Sequence, residues 1–135
     1  METHIEFTTC PIVTPAQPAT RDTGAQVEFR GIVREMERGD SIAGLQYEAY
    51  IPMADRHIRR ILDQLRETWP CHELWFIHRL GWVPVGEASL YIRVHASHRE
   101  PAFRLCSDLI DLLKRDVPIW KSPAGGQERI EPRVD

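Results

Sequence analysis

Long apolar runs are missing from this 135-residue chain. None approaches the ~20 residues that a membrane-spanning helix needs, so no membrane partner is expected. The opening Met1-Glu2-Thr3-His4-Ile5-Glu6 has no basic segment followed by an apolar one. That pattern carries no secretory signal and points to a cytoplasmic protein. Cysteine is scarce: Cys10, Cys71 and Cys106 are odd in number, far apart and without a C-x-x-C pair. A disulfide framework and a zinc ribbon are both disfavoured, and reduced thiols are expected. Positive charge is not in excess, since 17 Lys and Arg face 20 Asp and Glu for a net charge of −3. A general nucleic-acid binder is therefore not expected, although a local basic pocket stays open. The chain also lacks an internal repeat, a G-x-S-x-G turn, a Walker loop and a dinucleotide fingerprint. Serine hydrolysis and nucleotide hydrolysis have no support.

What is present is a soluble, globular composition, 42% hydrophobic and 27% charged, at a length that suits one domain. A short strand is expected over 4–9, then a Pro- and Thr-rich loop over 11–24. Residues 25–34 begin with the alternation of a strand, and Glu35 to Ser41 read as a flexible charged turn. Residues 43–50 form a second such strand, with Leu45, Tyr47 and Ala49 on one face. Pro52 opens a helix whose Ile58, Ile61, Leu62 and Leu65 fall at i, i+3, i+4 and i+7, and Pro70 ends it. Strands are expected over 72–79 and 88–97, joined by a turn region holding Gly81, Pro84 and Gly86. On the later strand Tyr91, Arg93 and His95 share one face, and Leu90, Ile92, Val94 and Ala96 the other. A second helix over about 100–115 stops at Pro118, and Ile119-Trp120-Lys121 is a short extended piece. The fold class is α+β: a single domain with a largely antiparallel sheet and two main helices. The domain spans 1–121, and 122–135, which lose periodicity, form a mobile C-terminal tail.

Several side chains could carry chemistry. On the second helix Phe103, Cys106, Leu109, Ile110 and Leu113 share a broad face, and Lys114 lies about 20° from Phe103 at its border. One reading of Lys114 has its stem covering apolar surface and its ammonium in water. The other points the ammonium into a cleft, where partial desolvation would make it a usable acid, base or nucleophile. Lys121 follows Pro118-Ile119-Trp120 and is either an exposed charge beside a buried Trp or a second amine converging on the same ligand. His98-Arg99 sits where strand gives way to helix, and helix N-termini favour anions. Arg34 follows Phe29-Arg30-Gly31-Ile32-Val33, and its planar fork of donors suits phosphate. His95 and His98 suggest a metal-dependent hydrolase, but no third ligand falls at a recognisable spacing, so no metal is expected.

Taken in order, these segments resemble one family, the molybdopterin synthase large subunit. The matching pieces are Phe29-Arg30-Gly31-Ile32-Val33-Arg34, Leu45-Gln46-Tyr47-Glu48-Ala49-Tyr50 with Met53-Ala54, His78-Arg79-Leu80-Gly81 and Val85-Gly86-Glu87. Ser97-His98-Arg99 with Ala102-Phe103, and Leu113-Lys114 with Val117-Pro118-Ile119-Trp120-Lys121, complete the set. Each is short, but the ordered set over roughly 25–121 is specific.

The resemblance implies a hammerhead-like α/β fold and a sulfurtransferase needing no cofactor. It implies conversion of cyclic pyranopterin monophosphate to molybdopterin with sulfur from the thiocarboxylate on the C-terminal glycine of a small ubiquitin-like subunit ending in Gly-Gly. It further implies a homodimer carrying two small subunits, a heterotetramer whose sites draw residues from both large subunits. By motif match Lys114 and Lys121 are the catalytic pair. Arg34, His98 and Arg99 hold the phosphate and pterin, and Ile32 and Val33 add backbone contacts. The tail departs from the family. Ser122-Pro123 stand where a basic residue and Glu usually follow the second lysine, and Arg129-Ile130-Glu131-Pro132-Arg133 lacks the usual Trp. Arg133 remains a candidate ligand contact across the dimer. The alternative is a non-catalytic module that binds a ubiquitin-like partner or a phosphorylated metabolite on the same fold.

Overall fold

Apolar residues recurring every second position become strands, and those recurring every third or fourth become helices. The computed structural model describes residues 1–16 and 20–123. Along them run β1 (Glu2–Thr8), β2 (Ala25–Ile32), β3 (Met36–Glu37), β4 (Asp40–Ser41) and β5 (Gly44–Ala49), then α1 (Ile51–Thr68). β6 (Glu73–Arg79), β7 (Gly81–Pro84), β8 (Ala88–Ala96), α2 (Arg99–Asp116) and β9 (Ile119–Pro123) follow.

The main sheet has the order β1-β6-β8-β2. β1 runs parallel to β6, and the other two pairings are antiparallel. Its inner face presents Leu74, Phe76, Leu90, Ile92, Val94 and Ala96, all buried. Both helices contribute to the core on this face. α1 contributes Ala54, Ile58, Ile61 and Leu62, and α2 contributes Ala102, Leu105, Cys106, Leu109 and Leu113. Each fully buried Leu or Ile stabilises the fold by roughly 1.5–3 kcal/mol. The helices are tied at two further points. Trp69 Nε1 donates to Asp108 at 3.0 Å, and His57 Nδ1 donates to the Asp116 carbonyl at 3.1 Å, satisfying a carbonyl at the end of α2.

Four local expectations change. Phe103 is 61% exposed, because Ala102 and Leu105 take the core positions. The buried arc of α2 is centred about 50° from the expected one, which moves Lys114 further toward solvent. Residues 81–84 form β7, although Gly81 and Pro84 read as turn residues; β7 is an edge strand of the β7-β5-β9 sheet, where proline is tolerated. Glu35 to Ser41 contains the β3–β4 hairpin, whose turn residues Arg38 and Gly39 have φ of 53° and 85°. Positive φ at both is the backbone of the turn type that matches strand twist. The strand starting at Ile119 extends through Ser122 and Pro123, paired with Gln46 and Leu45. The expected mobility of 124–135, and Arg133 with it, lies outside the described residues.

The outer face of β8 is also covered. Tyr91, Arg93 and His95 share it as expected, yet all are buried. The segment before β2 lies over them: Arg93 donates to the carbonyls of Pro15 at 2.8 Å and Ala16 at 3.3 Å. The Tyr91 hydroxyl donates to Glu28, and burial, aided by this bond, pushes its pKa up to about 12.

Candidate active site

β9 joins the second sheet by pairing with β5, which sets Lys121 opposite Tyr47. The Lys121 side chain is fully buried, and its Nζ lies 2.9 Å from Oε2 of Glu37 on β3, itself 8% exposed. An ammonium out of water requires such a partner, because removing one member of a buried pair leaves a charge with several kcal/mol of lost hydration. The strand alternation of the hairpin produces the contact. Met36 faces solvent and Glu37 faces inward. Glu37 is a partner of the candidate Lys121 that sequence reading missed. It lies in a charged turn, and nothing in its neighbours along the chain marks a contact with β9.

Ile32, Val33 and Arg34 lead from β2 toward the hairpin. Ile32 is 42% exposed and Arg34 is exposed, while Val33 is buried. The Val33 N–H donates to the Glu87 carbonyl at 3.0 Å, and its own carbonyl accepts from Gly86 at 2.9 Å. What Val33 can still offer a ligand is the second lone pair of its carbonyl. Ile32 lines a cleft of about 490 Å³ with Arg30, Arg79 and Glu87. There the buried Arg79 guanidinium donates to Glu87 at 2.7 Å, and Arg30 sits over the Tyr91 ring at 5.1 Å. These contacts explain the Arg79 and Glu87 of the sequence motif as a structural pair beneath the Ile32 segment.

Lys114 and Arg115 occupy the last turn of α2 and are exposed. A cation there also complements the helix dipole. At the other end His98 is the N-cap residue of α2 and contributes to a cleft of about 260 Å³ with Cys71, His72, Ser97 and Pro101. Arg99 lines a neighbouring cleft with Glu100, Phe103 and Arg104. Burial pushes the Cys71 thiol up to about 11, so it is not a thiolate at neutral pH.

One chain therefore does not gather all the expected residues. In the β2–β8 pair Ala25 lies opposite Ala96 and Ile32 opposite Ala88. His98 follows the Ala96 end, and Arg34 follows the Ile32 end. Nine strand residues separate those ends by roughly 30 Å. α2 packs back over both strands, so its last turn returns to the Arg34 end. Arg99 and Lys114 are about 22 Å apart along the helix at 1.5 Å per residue. Lys121 and Glu37 belong with Arg34; His98 and Arg99 do not.

His95 and His98 do not converge on a shared set of ligand atoms among the described residues. His95 is buried with Nδ1 3.4 Å from Glu73, and burial lowers its imidazole, offset in part by that carboxylate. The side chains that do converge are Glu2, His4 and Glu73, within 4.8 Å of one another and without His98.

Residues 5–116 match the family described as MoaE protein. The chain is 47% identical over 98 residues to the molybdopterin synthase catalytic subunit of Arabidopsis thaliana, covering 73% of this chain and 50% of that one. It thus spans about half the length of the curated relatives it first matches. Its fold is similar to the crystal structure of molybdopterin synthase from Staphylococcus aureus, with a TM-score of 0.78 and 31% identity over 96% of this chain and 94% of that one. It is also similar to a chain in a complex of subunits 1 and 2 of molybdopterin-converting factor from Helicobacter pylori 26695. That match has a TM-score of 0.67 and 27% identity over 82% of this chain and 73% of that one.

Proposed function

The chain belongs to the MoaE protein family, and from that premise we propose that it is the catalytic subunit of a molybdopterin synthase. The substrate is cyclic pyranopterin monophosphate, and the product is its dithiolene, molybdopterin. The two sulfurs of the dithiolene come in turn from the C-terminal thiocarboxylates of two small ubiquitin-like carriers ending in Gly-Gly, and each carrier leaves as a carboxylate once water has taken the place of its sulfur. The working assembly is a homodimer with one carrier bound to each subunit, in the cytoplasm. The observation that carries this reading is the family match over residues 5–116, with relatives named molybdopterin synthase catalytic subunit.

The chemistry required suits the residues available. A thiocarboxylate carbonyl needs a positive group to draw charge onto its oxygen, and opening the pterin side chain to sulfur needs proton transfers. Lys121 and Lys114 supply ammonium groups in two settings. The buried one acts where a charge is felt strongly, and the exposed one at the mouth where ligand arrives. Arg34, His98 and Arg99 supply donors for the phosphate and pterin, with Ile32 and Val33 beside them and Arg133 as a further contact. Because His98 and Arg99 sit far from Lys114 in one chain, the reading needs the cradle of one copy to face the lysines of another. No metal or cofactor enters.

The test mixes the purified protein with thiocarboxylated carrier and cyclic pterin and follows dithiolene formation. Product at many turnovers is expected; no product with both components shown competent contradicts the reading. The substitution of Ser122-Pro123 after Lys121 favours one alternative, a non-catalytic module on this fold. Carrier binding without sulfur transfer selects it.

A further inference from the structure

An amine at the end of four rotatable bonds does not hold a fixed position by itself. Lys121 is fully buried, and one group that meets its Nζ is the Glu37 carboxylate at 2.9 Å. Glu37 comes from the β3–β4 hairpin, three residues beyond Arg34 in the chain. The hairpin is closed by its two-residue turn, and the Ile42 N–H donates to the Glu35 carbonyl at 2.8 Å at its base. Its backbone is thus built to present one inward side chain, with Met36 and Arg38 left in solvent.

We infer that Glu37 is a positioning residue for the reaction: its carboxylate accepts one of the three ammonium N–H donors of Lys121, fixes the amine against β5, and ties it to the Arg34 segment. The inference rests on the proposed role of Lys121. It differs from a purely structural ion pair in its consequences. Glu37 sets where the amine sits relative to the reacting carbonyl, so its loss lowers the rate of the chemical step more than it weakens binding. A misplacement of about 1 Å at a reacting centre can lower a rate by ~100-fold.

The local geometry also says where else a carboxylate would serve. Residue 123 lies two positions after Lys121 on β9, so its side chain is on the same face of the strand. That position holds proline, opposite Leu45. A carboxylate placed there can reach the same amine from the neighbouring site, independently of the hairpin.

The experiment uses the full chain with thiocarboxylated carrier and cyclic pterin, comparing wild type, Glu37→Gln, Glu37→Asp and Glu37→Gln combined with Pro123→Glu. For Glu37→Gln a kcat lower by about 10–100-fold is expected, with KM for pterin and carrier changed by less than about 3-fold. The relocated carboxylate restores at least half of the lost activity on a logarithmic scale. A wild-type kcat in Glu37→Gln overturns the proposal, as does a loss that the double variant leaves unrepaired. Should Glu37→Gln not fold, Glu37→Asp carries the test. Lowered kcat with unchanged KM is then expected, and an unchanged kcat overturns it. A separate readout needs neither carrier nor pterin: the Lys121 ammonium of the wild type should give a slowly exchanging nitrogen resonance coupled to the Glu37 carboxylate. Its absence overturns the inference whatever the activity, whereas an inactive wild type that shows it counts against the functional reading alone.

Discussion

At His78 the burial of an imidazole becomes a pH dependence. The ring is fully enclosed and stands edge-on to Tyr47. Its Nδ1–H donates to the Arg79 carbonyl at 2.8 Å, while Nε2 has no hydrogen-bond partner among the described residues. Burial lowers its pKa from 6.5 to about 4, and the carbonyl contact offsets only part of that. Below pH 6.5 an unfolded chain takes up a proton that the folded chain refuses. Stability is therefore complete above that pH and falls as the pH drops toward 4, in total by something on the order of 3 kcal/mol. Urea denaturation at a series of pH values should show this fall, and His78→Gln should flatten it between pH 6.5 and 4. An equally steep fall in the variant would place the effect elsewhere. The same residue shows what sequence could and could not reveal. His78 belongs to a recognisable motif, but its burial depends on strands that pair around it. Glu37 was less legible still. Its charge and its place in a turn suggested solvent, and its partner Lys121 arrives from the other end of the chain.

The two helices differ in how plainly their sequences display the buried face. In α1 the expected stripe of Ile58, Ile61 and Leu62 is buried as read, with Leu65 partly so. In α2 the large Phe103 drew the stripe toward itself, whereas the core accepts the small Ala102 and the neighbouring Leu105. Spacing gives a period, but which arc packs is decided by the sheet beneath. The strands behave likewise. β8 was legible because its alternation is long. β7 was not, because proline and glycine are turn signals that an edge strand can absorb. These placements predict opposite outcomes for two truncations on one helix. Leu109→Ala should destabilise the protein by about 3 kcal/mol, as buried leucines usually do. Phe103→Ala should change stability by less than ~0.5 kcal/mol, because its ring is already largely in water. Chemical denaturation of both variants checks this; a Phe103→Ala cost close to that of Leu109→Ala would mean that the ring is packed in solution.

Across the whole molecule the sequence carried the class of fold, the candidate residues and, by resemblance, a site shared between two copies, but not which residues lie at which end of a chain. Motif order makes Lys114, Lys121, Arg34, His98 and Arg99 look like one site. The antiparallel β2–β8 pair and the return of α2 divide them between opposite ends of a chain. A shared site then requires two copies, each lending its helix start to the lysines of the other. Lys114→Ala and Arg99→Ala test this directly, since both side chains are exposed and neither removal opens the core. Each variant alone should be nearly inactive in dithiolene formation. Mixed after dissociation and reassociation, half the dimers are hybrids, and each hybrid has one site with both residues intact. The mixture should regain about a quarter of wild-type activity. A mixture that stays as inactive as its components, while hybrids are shown to form and wild type turns over under the same conditions, would contradict it.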